Sequence, residues 1–190
     1  MVVCESDYDC LFYNAVMNAI YEKEGEIAPD ILFAHCGGKG RMKVVVAALR
    51  ALKVPVVAIP DFDIVNNSGE FYPLVESFGI QKSDLSMQDI YDWLNANPSI
   101  KDNLKRQGKN ALDGQAAVSY NNVEQICRSK GLFIVPCGEM ECFRKNNLFK
   151  ADWVYNELEN SDLASEPALS NVRQFISDVI DFNNTVLVSE

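Results

Sequence analysis

Histidine is nearly missing from this sequence. The single one is His35, and the six cysteines, at positions 4, 10, 36, 127, 137 and 142, include no Cys-x-x-Cys pair. Those two lacks exclude the usual Cys/His zinc frameworks. No apolar run reaches the roughly 20 residues that a membrane-spanning helix needs, because the longest, Val44 to Pro60, is broken by Arg50 and Lys53. A secretory signal is missing too, since the N-terminus runs at once into the acidic, polar Glu5-Ser6-Asp7, and the expectation is a cytoplasmic protein with reduced, mostly buried thiols. Positive charge is short: 17 Lys and Arg stand against 27 Asp and Glu, for a net charge of −10. That balance opposes holding a polyanion through the bulk field of the chain, although net charge alone does not exclude one. Internal repeats and low-complexity segments are absent. What is present, 190 residues of which 48% are apolar, suffices for one globular domain, or for one domain with a sizeable insertion.

Val2 to Cys4 reads as the end of a short buried strand, and it begins so abruptly that sequence upstream is expected. Ser6 starts a helix whose inward face is predicted at Leu11, Phe12, Ala15, Val16, Ala19 and Ile20. Ile31 to Ala34 is predicted as a buried strand, followed by the glycine loop Cys36-Gly37-Gly38-Lys39-Gly40. The next helix turns Met42, Val45, Val46, Leu49 and Leu52 inward, and Val54 to Pro60 is a third strand ending at Asp61-Phe62-Asp63. This β-α-β-α-β order predicts an α/β fold: a mostly parallel, Rossmann-like sheet of four strands flanked by helices, with functional groups at the carboxyl ends of the strands. The fourth strand is expected at Leu132 to Pro136. The core therefore comprises residues 1–63 and 131–160, with a helical insertion over about 64–130 and a C-terminal helix over about 170–182. In the insertion, Ser86-Met87-Gln88-Asp89 has the form of a capping box, and Ser170 that of a cap for the last helix. Lys101 to Lys109 is the most basic stretch.

Acids follow three of the four strands. Glu5 and Asp9 lie four apart at a strand-to-helix junction, although Ser6 to Asp9 is also a helix-capping pattern. Asp61 and Asp63 put alternate side chains on one side of a strand end, where a turn would also use them. Glu139 and Glu141 repeat the arrangement. Six carboxylates brought together repel strongly, by roughly 4 kcal/mol per pair at ~4 Å and an effective dielectric near 20, and hard divalent cations are the natural compensation. Two such ions about 4 Å apart can activate water toward a phosphodiester and stabilise its leaving oxygen. Gly37, Gly38 and Lys39 ahead of a helix could contact a phosphate or form a plain tight turn. His35 reads as an ordinary strand-end residue. Trp93 and Trp153 read as core.

Taken in order, Val3-Cys4-Glu5-Ser6-Asp7-Tyr8-Asp9, His35-Cys36-Gly37-Gly38-Lys39, Pro60-Asp61-Phe62-Asp63 and Gly138-Glu139-Met140-Glu141 resemble the TOPRIM domain of the OLD (overcoming lysogenization defect) endonucleases. The resemblance implies a DNA endonuclease with two Mg²⁺ or Mn²⁺ ions. It implies metal ligands at Glu5, Asp9, Asp61, Asp63, Glu139 and Glu141, catalytic roles for Glu5 and Asp61, and a transition-state lysine at Lys150. It further implies an ATPase domain or subunit as partner, DNA as substrate, possible homo-oligomers, no membrane, and a place in phage defence or DNA processing. The family's usual glycine after the first glutamate is Ser6 here. A second register, aligning Glu5-Ser6-Asp7, would put Val3 at the acid's place; the four-residue spacing of Glu5 and Asp9 favours the first. Two rivals stand beside this reading. Asp61-Phe62-Asp63-Ile64-Val65 also resembles the Asp-x-Asp-x-Val motif of haloacid-dehalogenase-like phosphatases, which would make Asp61 a covalent nucleophile. The other rival is an inactive TOPRIM-like assembly module.

Overall fold

The computed structural model describes residues 1–145 and 148–188. Three parallel strands, β1 (Val2–Cys4), β2 (Phe33–His35) and β3 (Val57–Ile59), form a sheet in the order β2-β1-β3. β1 pairs on both sides, with Val3 opposite Ala34 in one neighbour and Ala58 in the other. A strand bonded on both edges and covered on both faces must be apolar throughout, and Val2, Val3 and Cys4 are all fully buried. β2 is the edge, and its residues are half-buried or exposed. It starts at Phe33 rather than Ile31, because the Ile31 N–H closes a turn onto Pro29 O at 2.8 Å.

From β1 the chain moves to β2 through α1 (Asp7–Glu24), then crosses back past β1 to β3 through α2 (Lys39–Ala51). Right-handed crossovers place two such helices on opposite faces. The alternating strand residues follow suit. Val2, Cys4, Val57 and Ile59 share a core with Phe12 and Val16 of α1, whereas Val3 and Ala58 share another with Met42 and Val46 of α2. α7 (Lys150–Asn160) and α8 (Ser170–Val188) complete the first layer through Trp153 and Ile176. On the other face lie α3 (Ser68–Ser77), α4 (Met87–Ala96), α5 (Lys101–Gln107) and α6 (Gly114–Arg128). Their Phe71, Ile90, Leu104 and Val123 belong to one core with Val3 and Ala58, so the helices of segment 64–130 form a layer of the sheet's own sandwich.

The fourth strand is reduced to one parallel bridge, Ala58 to Leu132. Backbone bonds from Ala58 N–H to Gly131 O, Phe133 N–H to Ala58 O and Val135 N–H to Pro60 O (2.9, 2.9 and 3.0 Å) still carry the segment along β3. The ladder is broken where residue 60 should donate the next bond, because proline has no N–H.

Three local expectations also shift. The buried face of α1 runs through Asp9, Phe12, Tyr13, Val16 and Met17, and Leu11 is exposed. Tyr13 takes the inward position against Phe175, at a ring separation of 6.2 Å, because an aromatic ring buries more apolar area than the leucine or alanines expected there. Ser86 makes no cap bond at α4; Asp89, its expected partner, instead accepts from Ser119 Oγ on α6 at 2.6 Å. Ser170 is already helical, since Pro167 opens a tight turn ahead of it whose Ala168 N–H is capped by Glu166. All six cysteines are free. No helix among the described residues is long and apolar enough to cross a membrane.

Candidate functional site

The strand order reverses its winding between β1 and β3. At such a point the loops leaving the two strands diverge and open a crevice at their carboxyl ends, where ligands of open α/β sheets bind. Glu5 leaves β1 and Asp61 leaves β3 at that point. The two are locked together, with the Asp61 N–H donating to Glu5 Oε1 at 3.1 Å. A 3-10 turn over Phe62–Asn66 then carries Asp63 beside them.

Lysines stand among these acids. Lys39 Nζ lies 2.6 Å from Asp63. Lys105 Nζ bridges Asp63 at 3.5 Å and Glu139 at 3.1 Å. Lys150 Nζ lies 2.7 Å from Asp9 Oδ1 and 3.9 Å from Asp61. Asp9 carries two duties at once: its other oxygen, Oδ2, accepts from the Ser6 N–H and Ser6 Oγ, both at 2.9 Å, and so completes the cap of α1.

Burial raises the Asp61 carboxyl well above the usual aspartate range; Lys150 opposes this, while Glu5, Asp9 and Glu139 add to it. Burial likewise raises Glu5, against the bond from the Asp61 backbone and with help from Asp63, and it raises Glu141. For Lys150 burial works against the charge, yet Asp61 and Asp9 win and hold the ammonium above its ordinary value. Removing that charge from a largely buried position strands two carboxylates. Lys150→Met is therefore expected to lower stability by about 2–4 kcal/mol near neutral pH. In thermal melts the deficit should shrink in acid, where Asp61 protonates; a deficit independent of pH would contradict the assignment.

Backbone contacts set the geometry from beneath. Gly138, at φ +119°, lies so close to α5 that an added Cβ would stand 2.1 Å from Lys105 O. Gly108, at φ +55°, approaches Pro136 O equally closely. Bonds from Glu139 N–H to Lys105 O (3.0 Å), Lys109 N–H to Pro136 O (2.9 Å) and Phe62 N–H to Gly138 O (2.8 Å) complete this clasp. It aligns Glu139, Lys105 and Asp63.

The expected acids thus gather at the carboxyl end of the sheet, and four of the six, Asp9, Asp61, Asp63 and Glu139, are paired with ammonium groups. Glu141 is half-buried, and its Oε2 is buried without a hydrogen-bond partner. In the glycine loop one N–H and the lysine are engaged within the chain. The Gly38 N–H is taken by Glu5 O at 2.9 Å, and Lys39 is turned onto Asp63. The basic stretch is also not a continuous free surface, because Lys105 enters the acid cluster and Lys109 pairs with Glu124 at 2.9 Å. Sequence reasoning missed Lys39 and Lys105 as partners of the acids. His35 ends the edge strand, exposed.

Among the described residues no three His, Cys, Asp or Glu side chains form a group that could hold a metal ion as they stand. The chemistry of the donors still fits a hard divalent cation. They are all carboxylate oxygens, one is a buried orphan, and Asp61 is only 9% exposed. Two ammonium groups lie between pairs of these acids, Lys150 between Asp9 and Asp61 and Lys105 between Asp63 and Glu139. A separate cleft of ≈ 300 Å³ is lined by Arg128, Cys137, Phe175 and Asp178. Its charges are satisfied internally, Arg128 by Glu124 and Asp178, so the switch-point crevice is the stronger candidate. No family model, curated protein or solved structure matches this chain.

Proposed function

We propose that this chain is a divalent-cation-dependent DNA endonuclease domain of TOPRIM type, with Mg²⁺ or Mn²⁺ held by carboxylates of the switch-point crevice. One observation carries the reading: Glu5 and Asp61 sit at the carboxyl ends of β1 and β3 and are hydrogen-bonded to one another. Desolvated acids at a ligand crevice are unfavourable for stability alone. The ordered resemblance of the four motifs supports the choice of phosphodiester chemistry. When bound, divalent cations supply Lewis acidity toward a phosphodiester oxygen. Glu5 and Asp61 would hold them, with Asp63, Glu139 and Glu141 around the rim. Lys150, kept protonated by its acids, would face charge developing on the phosphoryl group. The net charge of −10 calls for basic surface elsewhere to hold DNA, which an ATPase domain or subunit would supply in the cytoplasm.

Relaxation of supercoiled plasmid in Mn²⁺ tests the reading. The wild type should nick, and Asp61→Ala should nick at least about 100-fold more slowly, the usual order for loss of a group that stabilises transition-state charge. Equal nicking would refute it. A second reading, an inert module, is favoured by one observation: lysines already neutralise Asp9, Asp63 and Glu139. Calorimetry with millimolar Mn²⁺ separates the two, since the inert module would take up no heat-producing ion. The phosphatase rival would leave Glu5 and Asp9 without a role, and trapping an aspartyl-phosphate mimic on Asp61 would favour it.

A further inference from the structure

The three lysines of the crevice differ in how they are held. The side chains of Lys150 and Lys39 are 24% and 28% exposed, against 53% for Lys105. Lys105, like Lys150 on Asp9 and Asp61, bridges acids from two segments, Asp63 after β3 and Glu139 after the segment beside it, and it is the one of the two bridging lysines that is more than half exposed. Its backbone is fixed by the glycine clasp, with its carbonyl accepting the Glu139 N–H at 3.0 Å. Among the described residues its side chain is tethered by the two carboxylates, and it is 53% exposed to solvent.

We propose that Lys105 is a built-in counter-ion. It competes with divalent cations for Asp63 and Glu139, and it passes to a phosphate of the incoming phosphodiester when those cations bind. The proposal rests on the cation-dependent reading given above. An ammonium and a divalent cation on the same carboxylate oxygens repel one another at contact distance, so an ion taken up by Asp63 or Glu139 displaces the Lys105 side chain. The clasp keeps its backbone in place meanwhile. The released ammonium then stands at the mouth, the one place where an acidic chain most needs a local positive charge to meet a polyanion. Metal uptake and phosphate capture are thereby linked through one side chain.

The test uses the full chain with Lys105→Met and Lys105→Arg. Calorimetry with MnCl₂ alone measures cation affinity. Fluorescence anisotropy of a labelled duplex oligonucleotide in CaCl₂, over a range of salt, measures phosphate capture. Lys105→Met should bind Mn²⁺ roughly 3–10-fold more tightly than wild type and the oligonucleotide about tenfold more weakly. Its salt slope should fall by about one, as expected for one lost phosphate contact. Lys105→Arg should return both affinities to within about twofold of wild type, because charge is what competes. Unchanged or weaker Mn²⁺ binding by Lys105→Met, or tighter Mn²⁺ binding with undiminished capture of the oligonucleotide, overturns the proposal and leaves cation dependence standing. If neither wild type nor variant binds Mn²⁺, cation dependence itself fails and the proposal falls with it. The exposed side chain and the backbone-mediated clasp make Lys105→Met a variant that folds, and a thermal melt checks this.

Discussion

Gly138→Ala is expected to lower stability by roughly 2–4 kcal/mol, a drop of about 5–15 °C in Tm for a chain of this size. Two independent penalties combine. The backbone at φ +119° suits glycine and strains any other residue, and the new methyl carbon would stand 2.1 Å from Lys105 O. That oxygen belongs to the backbone of α5 and cannot swing aside as a side chain would. Relief requires the 136–139 loop and α5 to separate, which strains the bonds from Glu139 N–H to Lys105 O and from Lys109 N–H to Pro136 O. Gly108→Ala meets Pro136 O at the same 2.1 Å and should behave alike. A melt of Gly138→Ala within a degree or two of wild type would show that the clasp is looser than described.

Asp61→Asn should do the reverse, raising the Tm of the metal-free protein by a few degrees at pH 7 while abolishing measurable Mn²⁺ binding. The sign follows from the direction of the shift. Burial, reinforced by Glu5, Asp9 and Glu139, raises the Asp61 carboxyl above its unfolded value. A group raised in the folded state contributes stability that is complete below its unfolded pKa and is lost as pH rises through the folded one. Wild type therefore loses stability between the ordinary aspartate range and the raised value, whereas asparagine has no proton to lose. Lys150 keeps Asp9 at 2.7 Å, so the substitution does not orphan the ammonium. The advantage of Asp61→Asn should fade at acid pH, and a destabilised variant at pH 7 would contradict this account. Stability surrendered at a crevice is the expected signature of a site kept for binding or chemistry.

The sheet was legible because its strands carry their own signal. Val2 to Cys4 and Val57 to Ile59 are unbroken apolar runs, which buried parallel strands require, and the acids directly after them mark the sheet's carboxyl edge. Order and winding then follow from right-handed connections. Features set by tertiary contact were not legible. Tyr13 displaces Leu11 from the inward face of α1 through Phe175, more than 160 residues away in sequence. Asp89 leaves its local cap for Ser119. Pro60 silences one rung of the ladder beside β3, and that was readable in principle from proline's missing N–H.

For the crevice, the carboxylates were legible and their counter-charges only partly so. Lys39 follows the glycines after β2, so its position at the same edge could have been inferred from topology. Lys105 could not. It arrives from a helix in the second layer, and no spacing in Lys101 to Lys109 distinguishes a lysine facing acids from one facing solvent.

At position 105 the fold and the field are carried by different atoms. The carbonyl, which every residue has, holds the 136–139 loop, while the ammonium, which only this side chain contributes, sets the charge at the crevice mouth. Mutational drift at 105 can therefore change the electrostatic setting without taxing the backbone. At Gly138, packed against that carbonyl, any side chain is strained. The chain thus has one adjustable contact mounted on one that does not give.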